Sequence, residues 1–372
     1  MARRKTKRAI PNHLAARLER CRARMADGRL SAYVVSAPTD QFYLAGFTGE
    51  DGVVVVTARR LYLVTDGRFT IQAAREAPWA KAIIRKAGIG AELSRLQLRH
   101  RWCRVGFQAE HATVKQAAIW RKAVSPARLT QSKPITAELR NRKDPAEVVA
   151  IRRAIDVAEA AFKVTCRTVK IGMTERQVAA RLEFEMQKRG ASGPSFPTIV
   201  AVGSNAALPH ARPGSRRIAS GSAILIDWGA TVDGYRSDLT RVVFVRTIRP
   251  QFRRMYIMVH EAQRRAIAAV SSGVEARMVD RAARSYLASV GYGKAFTHST
   301  GHGLGLDVHE GPSLARRGSA TLEAGMVVTV EPGVYVPGVG GVRIEDDILV
   351  TGSGCEVLST LSTNLDDMVI RG

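Results

Sequence analysis

Cysteine is scarce in this chain of 372 residues. Its four cysteines are Cys21, Cys103, Cys166 and Cys355, and no two of them stand at a metal-ligand spacing such as CxxC. This scarcity excludes an all-thiolate zinc site and a small domain held together by disulfides. Scattered cysteines are typical of reducing compartments, so we expect free thiols in a cytoplasmic protein.

Long apolar runs are also missing. No stretch approaches the roughly 20 residues that a transmembrane helix needs. The first residues, MARRKTKRAIPNHL, carry positive charge, but the apolar segment of a secretory signal does not follow them. We therefore expect no contact with a membrane, and a frayed basic arm over residues 1–12.

Acidic residues are few beside the basic ones. The chain has 33 Asp and Glu against 57 Lys and Arg, a formal net charge of +24. Residues 1–135 hold 26 basic and 9 acidic residues, and residues 136–372 hold 31 and 24. A basic first part can meet a polyanion such as nucleic acid. Since no nucleic-acid-binding motif accompanies the charge, we favour a solvated basic surface and disfavour a nucleic-acid partner.

The remaining composition indicates a globular protein of two domains, with 45% hydrophobic residues. Residues 1–135 alternate between helical and strand patterns, which predicts a smaller α/β domain. Strands are predicted in LSAYVVSA and CRVGFQ, a hairpin in GVVVVTARRLYLVTDGRF, and helices over 14–29, in FTIQAAREA and in TVKQAAIWRKAV. The segment APTDQFYLAGFTGEDG is rich in turn residues and is predicted as a loop.

A second domain is predicted over residues 136–372. A polar linker, LTQSKPITAELRNRKD, leads into a long helix that begins after Asp144, an N-cap residue followed by proline. Thr174 and Gln177 form a capping box for the next helix. Two helices and a hairpin are then followed by two helices and a second hairpin, an imprecise internal repeat of about 100 residues.

Carboxylates stand in both hairpins where apolar residues would otherwise continue the strands. The first hairpin, AILIDWGATVDGYRSDLTRVVFV, carries Asp227 and Asp238, and the second, MVVTVEPGVYVPGVGGVRIEDDILV, carries Glu331 and Glu345. A buried carboxylate is costly unless it is paired or bound to a metal. Neighbouring strands can bring such residues together. We expect Asp346 and Asp347, beside Glu345, to be exposed turn residues.

A glycine-rich segment between the hairpins, STGHGLGLDVHEGP, supplies imidazoles. His302 is flanked by glycines, which let the backbone bring its ring close to the hairpins. Four carboxylates and one imidazole would carry a charge of about −4, which two divalent cations would neutralise. Oxygen-rich ligands with one histidine suit Mn²⁺, Co²⁺, Fe²⁺ or Zn²⁺.

These segments resemble the Xaa-Pro aminopeptidases and Xaa-Pro dipeptidases (prolidases) of metallopeptidase family M24. LIDWGATVDGYRSDLTR, HSTGHGLGLDVHEGP, VVTVEPGVY and GVRIEDDILVT match its metal motifs, and FYLAGFTGEDG with YLVTDGRF matches the creatinase-type N-terminal domain. The resemblance implies an α+β protein. Its pita-bread catalytic domain would span 136–372, and its smaller α/β creatinase-type domain would span 1–135.

The resemblance also implies roles for single residues. The implied metal ligands are Asp227, Asp238, His302, Glu331 and Glu345. His210 and His309 match histidines that steady the transition state, and Glu331 is a candidate for relaying the water's proton. His298 and Arg343 match residues that line or support the substrate site, and Phe196 is a candidate for the wall of the proline pocket.

The implied reaction is hydrolysis of the Xaa-Pro bond at the N-terminus of a peptide. Two metals about 3.5 Å apart can share a hydroxide that attacks the carbonyl before the proline nitrogen. We expect an Xaa-Pro aminopeptidase, a likeness that also implies Mn²⁺ and a homodimer. The alternatives are an Xaa-Pro dipeptidase, a metal-dependent non-peptidase and a non-catalytic nucleic-acid-binding protein on the same fold.

Overall fold

The computed structural model describes residues 9–372 of the chain. The basic arm predicted for residues 1–12 therefore lies mainly outside the described residues. Internal contacts divide the chain into two units, Met1–Leu139 and Arg140–Gly372. The domain limits of 1–135 and 136–372, which we keep as a proposal, differ from this division over residues 136–139.

The first unit is built on one six-stranded sheet, in which five strands run in one direction and only β2 runs against them. The strand order across the sheet is β4-β3-β2-β1-β5-β6. The strands are β1 (Ala32–Val35), β2 (Val53–Thr57), β3 (Leu61–Thr65), β4 (Lys81–Ile84), β5 (Arg104–Phe107) and β6 (Arg128–Gln131). The helices are α1 (Asn12–Asp27), α2 (Pro38–Ala45), α3 (Thr70–Glu76), α4 (Ile89–His100), α5 (Val114–Ala123) and α6 (Ile135–Asn141).

Several local predictions for this unit are correct, and some are wrong. The valine-rich hairpin forms as β2 and β3, because β-branched side chains suit a buried strand. The predicted loop after β1 instead contains α2, which has Pro38 at its first turn and ends at Gly46 with φ +74°. The predicted linker is also wrong, because it contains β6 and α6. Helix α4 and strand β4 were not predicted.

The second unit contains two larger sheets and four helices. The helices are α7 (Pro145–Thr168), α8 (Glu175–Lys188), α9 (Pro250–Ala268) and α10 (Ala276–Ser289). The strands before α9 are β7 (Gly193–Pro194), β8 (Ile199–Val202), β9 (Ala223–Trp228), β10 (Ala230–Val232), β11 (Tyr235–Arg236) and β12 (Leu239–Val245). Those after α10 are β13 (Gly301–Gly303), β14 (Glu310–Leu314), β15 (Val327–Val330), β16 (Gly333–Val336), β17 (Gly340–Arg343), β18 (Asp346–Val350), β19 (Cys355–Val357) and β20 (Val369–Ile370).

The predicted helix-helix-hairpin repeat is present. The first hairpin pairs β9 with β12 in the sheet β20-β12-β9-β8, and the second pairs β15 with β18 in the sheet β14-β13-β15-β18-β19. The first hairpin folds at Asp233 and Gly234, both with positive φ. Capping boxes start α7 at Asp144 and α8 at Thr174. Within residues 9–372, no helix is both long and apolar enough to cross a bilayer.

Candidate metal centre and active site

The four predicted carboxylates all lie at or next to the ends of strands. Asp227 lies near the end of β9 and Asp238 directly before β12, while Glu331 follows β15 and Glu345 precedes β18. His302 lies in the middle of β13, in the sheet that also contains β15 and β18.

The distances between these side chains are short. The His302 Nε2 atom lies 3.6 Å from Asp238 Oδ2 and 3.5 Å from Glu331 Oε1. One ligand atom each from Asp238, His302 and Glu345 lie within 4.8 Å of one another. The structure therefore brings these four predicted ligands together, and Asp227 joins them through the contacts of Arg343 and Thr240.

Thr240 connects the two hairpins. It is the cross-strand partner of Asp227, so the two aspartates of the first hairpin are not directly opposite each other. The Thr240 hydroxyl donates to Glu345 Oε2 at 2.6 Å, and the Glu345 backbone N–H donates to the Thr240 carbonyl at 3.2 Å. Thr240 thus brings the carboxylate of the second hairpin beside that of the first. No sequence pattern indicated this role.

The tautomer of His302 suits a metal ligand. Its Nδ1 lies 3.1 Å from the Gly303 carbonyl, which can only accept, so Nδ1 carries the proton. The lone pair of Nε2 then points toward Asp238 and Glu331. Burial lowers the pKa of His302 to about 4, which keeps the imidazole neutral.

Burial makes ionisation of the carboxylates costly. It is the main cause that raises the pKa of Asp238 and Glu345 well above their usual values, and repulsion by neighbouring carboxylates adds to it. Burial also raises the pKa of Glu331 to about 8, against the opposing charge of Arg343. Among the described residues, Asp227 Oδ1 has no hydrogen-bond partner although it is buried. Divalent cations would remove these costs, so the residues present fit the metal site predicted from sequence.

Arg343 is almost fully engaged by protein atoms. Its guanidinium donates to the Asp227 carboxylate, to the Tyr335 hydroxyl at 2.6 Å, to the Pro209 carbonyl at 3.3 Å and to the Thr240 hydroxyl at 3.1 Å. Four of the five N–H groups of an arginine are then used. These contacts favour a supporting role over direct contact with a substrate.

His298 is held in a similar way. Its Nδ1 donates to the Ser299 carbonyl at 2.8 Å, and its Nε2 lies 2.8 Å from the Tyr335 hydroxyl. Because both ring nitrogens contact protein atoms, His298 can contact a substrate only through the faces and C–H edges of its ring. Tyr335, which contacts both His298 and Arg343, was missed in the sequence because a tyrosine in a strand is typical of ordinary core.

The two predicted transition-state histidines are exposed. The ring of His309 meets that of His302 edge to face, with centroids 4.4 Å apart. His210 follows Pro209, whose carbonyl accepts from Arg343, and it lies near enough to act electrostatically on Asp227 and His298. Phe196 is half-buried, and no described contact joins it to the ligands.

The prediction that Asp346 and Asp347 are exposed turn residues is wrong, because both are buried. Asp347 is fully buried, and its Oδ2 accepts the backbone N–H of Asp238 at 3.1 Å. Asp346 forms a buried ion pair with Arg241 at 2.6 Å. Successive residues of a strand face opposite sides of the sheet, and here both sides are covered: Gln263 of α9 donates to Asp346 at 2.8 Å on one side, and the segment before β12 meets Asp347 on the other.

Comparison with known proteins agrees with this geometry. The family model "Metallopeptidase family M24" matches residues 149–352, and the model "Creatinase/Prolidase N-terminal domain" matches residues 17–142. The chain belongs to metallopeptidase family M24. The predicted family, two-part fold and class of enzyme, a metallo-exopeptidase, are therefore confirmed, and membership implies divalent metal ions.

Individual relatives align over most of the chain. An uncharacterized peptidase of Bacillus subtilis is 36% identical over 338 residues, which are 91% of this chain and 96% of the relative. The structure of an Xaa-Pro dipeptidase from Bacillus anthracis matches with a TM-score of 0.92 and 34% identity, covering 96% of this chain and 100% of that chain. That of an X-Pro aminopeptidase from Thermotoga maritima matches with a TM-score of 0.88 and 33% identity, covering 95% and 100%.

Proposed function

We propose that this metallopeptidase is an Xaa-Pro aminopeptidase with two divalent metal ions. The observation that carries the proposal is the convergence of Asp238, His302, Glu331 and Glu345, with ligand atoms 3.5 and 3.6 Å from the His302 ring nitrogen. Asp227, held by Arg343, would complete the ligand set. Oxygen-rich ligands with one imidazole suit manganese, which we propose as the metal.

The chemistry is divided between the metals and the protein. Bound at these five residues, two metal ions would lower the pKa of a water and polarise the substrate carbonyl. Glu331 would take up the proton of the attacking water. The exposed rings of His210 and His309 would donate hydrogen bonds to the developing oxyanion or protonate the proline nitrogen as it leaves.

The engagement of Arg343 supports aminopeptidase over dipeptidase activity. A dipeptidase must bind the carboxylate that directly follows the proline, which requires a cation with free donors. Arg343 donates four of its five N–H groups to protein acceptors, so it is poorly placed to bind that carboxylate. The match to a structure described as an Xaa-Pro dipeptidase keeps that activity as the second candidate.

Peptide hydrolysis after metal removal would test the proposal. The stripped protein would be assayed on Gly-Pro, Ala-Pro and a longer Xaa-Pro-Xaa peptide, with and without Mn²⁺. Manganese-dependent cleavage of the longer peptide is expected. Cleavage of the dipeptides alone would make the protein a prolidase, and no cleavage by a metal-loaded protein would indicate a different reaction.

A variant of Asp238 would test the metal site itself. Asp238→Asn should lose metal and at least 100-fold in activity, because a ligand charge is removed. Asp233→Asn, in the exposed turn of the same hairpin, is the matched control and should keep both. Full activity in Asp238→Asn would contradict the two-metal site. A homodimer and a cytoplasmic location stay predictions, which light scattering and cell fractionation would test.

A further inference from the structure

The charge of the first unit is unevenly distributed over its sheet. Strands β1, β3, β4, β5 and β6 all begin at one end, where β2 finishes. We call this the basic end. The cations there are Arg22, Arg24 and Arg29 near the end of α1, Arg59 and Arg60 between β2 and β3, Lys81 at the start of β4, Arg99, Arg101 and Arg104 from the end of α4 to the start of β5, and Arg121, Lys122 and Arg128 from the end of α5 to the start of β6. Among the described residues, Asp27 lies with these cations, and Glu138 lines the same cavity as Arg24 and Arg104.

The acidic residues of this unit lie mainly at the opposite end. Glu50 and Asp51 precede β2, Asp66 follows β3 and Glu110 follows β5. Two cations at that end, Arg68 and Arg85, both pair with Asp51 and Asp66 at 2.7 to 3.4 Å. The sheet therefore has one end where charges of both signs are mixed and one end that is mainly positive.

Cations at the basic end remain without acidic partners. Within residues 9–372, no carboxylate lies within 4.0 Å of the side-chain nitrogens of Arg59, Arg60, Lys81 or Arg99. Three of these surround His100: after burial, the charges of Arg99, Arg60 and Lys81 are what lower the pKa of that imidazole. Repulsion among like charges opposes folding, and a bound polyanion would relieve it.

The shape of the basic end fits a double helix. Six strands spaced about 4.8 Å apart carry the row of cations over roughly 24 Å. A nucleic-acid duplex presents about one negative charge per 1.7 Å of its axis, or about fourteen over that length. The rings of Tyr62 and Trp102 at this end are buried against His100, so neither offers a face on which unpaired bases could stack.

We propose that the basic end of the first unit binds double-stranded nucleic acid through its phosphates, without reading sequence. This proposal reverses the expectation drawn from sequence, because the sequence alone does not show where the cations lie in the folded unit. Contacts to about four phosphates would make binding weaken about 100-fold between 50 and 200 mM salt.

Binding to a fluorescent 20-base-pair duplex of arbitrary sequence, measured by anisotropy with the full chain, would test this proposal. Arg60→Glu with Arg99→Glu should weaken binding at least tenfold at 100 mM salt and make the salt dependence shallower. The matched control is Lys86→Glu with Lys115→Glu, which changes the net charge equally at exposed positions of the opposite end. Both variants keep the five cations of residues 1–8.

Each outcome decides the proposal. Weaker binding by the first double variant alone, with an unchanged rate of peptide hydrolysis and an equal or higher unfolding temperature, would support it. Equal losses in both variants, no binding at 50 mM salt, or preference for a single strand would overturn it. Binding to vesicles of anionic phospholipid without binding to the duplex would assign the basic end to a membrane surface and would also overturn it.

Discussion

At the scale of single residues, His302 and His309 form the closest imidazole pair of the site. Their ring centroids lie 4.4 Å apart at an interplanar angle of 74°. His302 is half-buried and directs a lone pair toward carboxylates, whereas His309 is exposed. On the proposed function, the glycine-rich segment would supply one imidazole for the metals and one for the substrate.

His309→Ala should lower turnover while leaving the metal content unchanged. We expect kcat to fall about 100- to 1,000-fold, the usual cost of removing a hydrogen-bond donor to an oxyanion. The measurement is kcat on the Xaa-Pro-Xaa peptide beside metal analysis of the purified variant. His302→Ala is the control and should lose metal as well as activity. Metal loss in His309→Ala would assign that imidazole to the ligands instead.

Asp347 illustrates what residue types alone do not determine. The carboxylates at the other strand ends were recognised because their motifs match those of a family, but an aspartate beside a strand is more often exposed. Its burial depends on which segments pack over its face of β18, among them the residues just before β12. Its hydrogen bond comes from the Asp238 amide, a residue far away in sequence. No local pattern encodes either fact.

At the scale of elements, the site depends on the contact between two hairpins. Thr240→Val removes a hydroxyl that donates to Glu345 and accepts from Arg343, while the volume of the side chain is kept. Because buried groups then lose their partners, we expect a loss of about 1–3 kcal/mol in stability. Metal affinity should also fall. Chemical unfolding and metal titration would measure the two effects.

The conservative variant Thr240→Ser is the control for this prediction. It keeps the hydroxyl and should retain metal affinity within a few-fold. If Thr240→Ser lowered metal affinity as much as Thr240→Val or more, the hydroxyl would not be the group that connects the hairpins.

Glu310 fixes the segment that carries His309. Its carboxylate is buried, accepts from Arg140, and lies 3.1 Å from Lys143 Nζ. The same carboxylate accepts the backbone N–H of Asp307 at 3.0 Å. A buried cation that loses its counter-charge is costly, so Glu310→Gln should reduce stability by about 3–5 kcal/mol. It should also lower kcat more than metal content, because His309 is adjacent in the chain.

Asp307→Asn provides the comparison for Glu310→Gln. Its carboxylate also meets Arg140, at 2.5 Å, but its side chain is 44% exposed. Exposed ion pairs contribute at most about 1 kcal/mol, so thermal unfolding of this variant should change little. Equal destabilisation by the two variants would contradict the role assigned to Glu310.

Helix α2 shows why an element can be missed in the sequence. Proline, threonine and aspartate near the start of α2 are typical of turns, but the same residues are favoured in the first turn of a helix. What decides between them is the burial of Tyr43 and Leu44, which depends on the folded unit. Strongly periodic helices such as α7, with a capping box at Asp144, were predicted correctly.

At the scale of the whole molecule, the family and the two-part fold could be predicted because metal chemistry restricts which residues stand at certain strand ends. The place where the cations gather in the first unit could not be predicted from such motifs. The net charge of +24 is a property of composition, whereas the basic end exists because five strands of one sheet begin on the same side. The order of strands, which depends on long-range pairing, decides where the charges meet.

Stability of the whole molecule should depend on pH and metal together. In the metal-free protein the pKa of Glu331 is about 8, above its ordinary value of 4.5. Between pH 6.5 and 8 the native state then holds a proton that the unfolded state releases, so raising the pH favours unfolding. We expect the unfolding temperature with a chelator to fall on the order of 5 °C across this window.

Added Mn²⁺ should reverse this trend, since metal ligands must be ionised and the stabilisation by metal therefore grows with pH. Differential scanning fluorimetry at several pH values, with chelator or with Mn²⁺, would measure both curves. Glu331→Gln is the control, because it cannot ionise and should flatten the metal-free curve. A metal-free protein whose unfolding temperature stays constant or rises from pH 6.5 to 8 would show that Glu331 ionises freely in the fold, and the buried carboxylates would then need no metal.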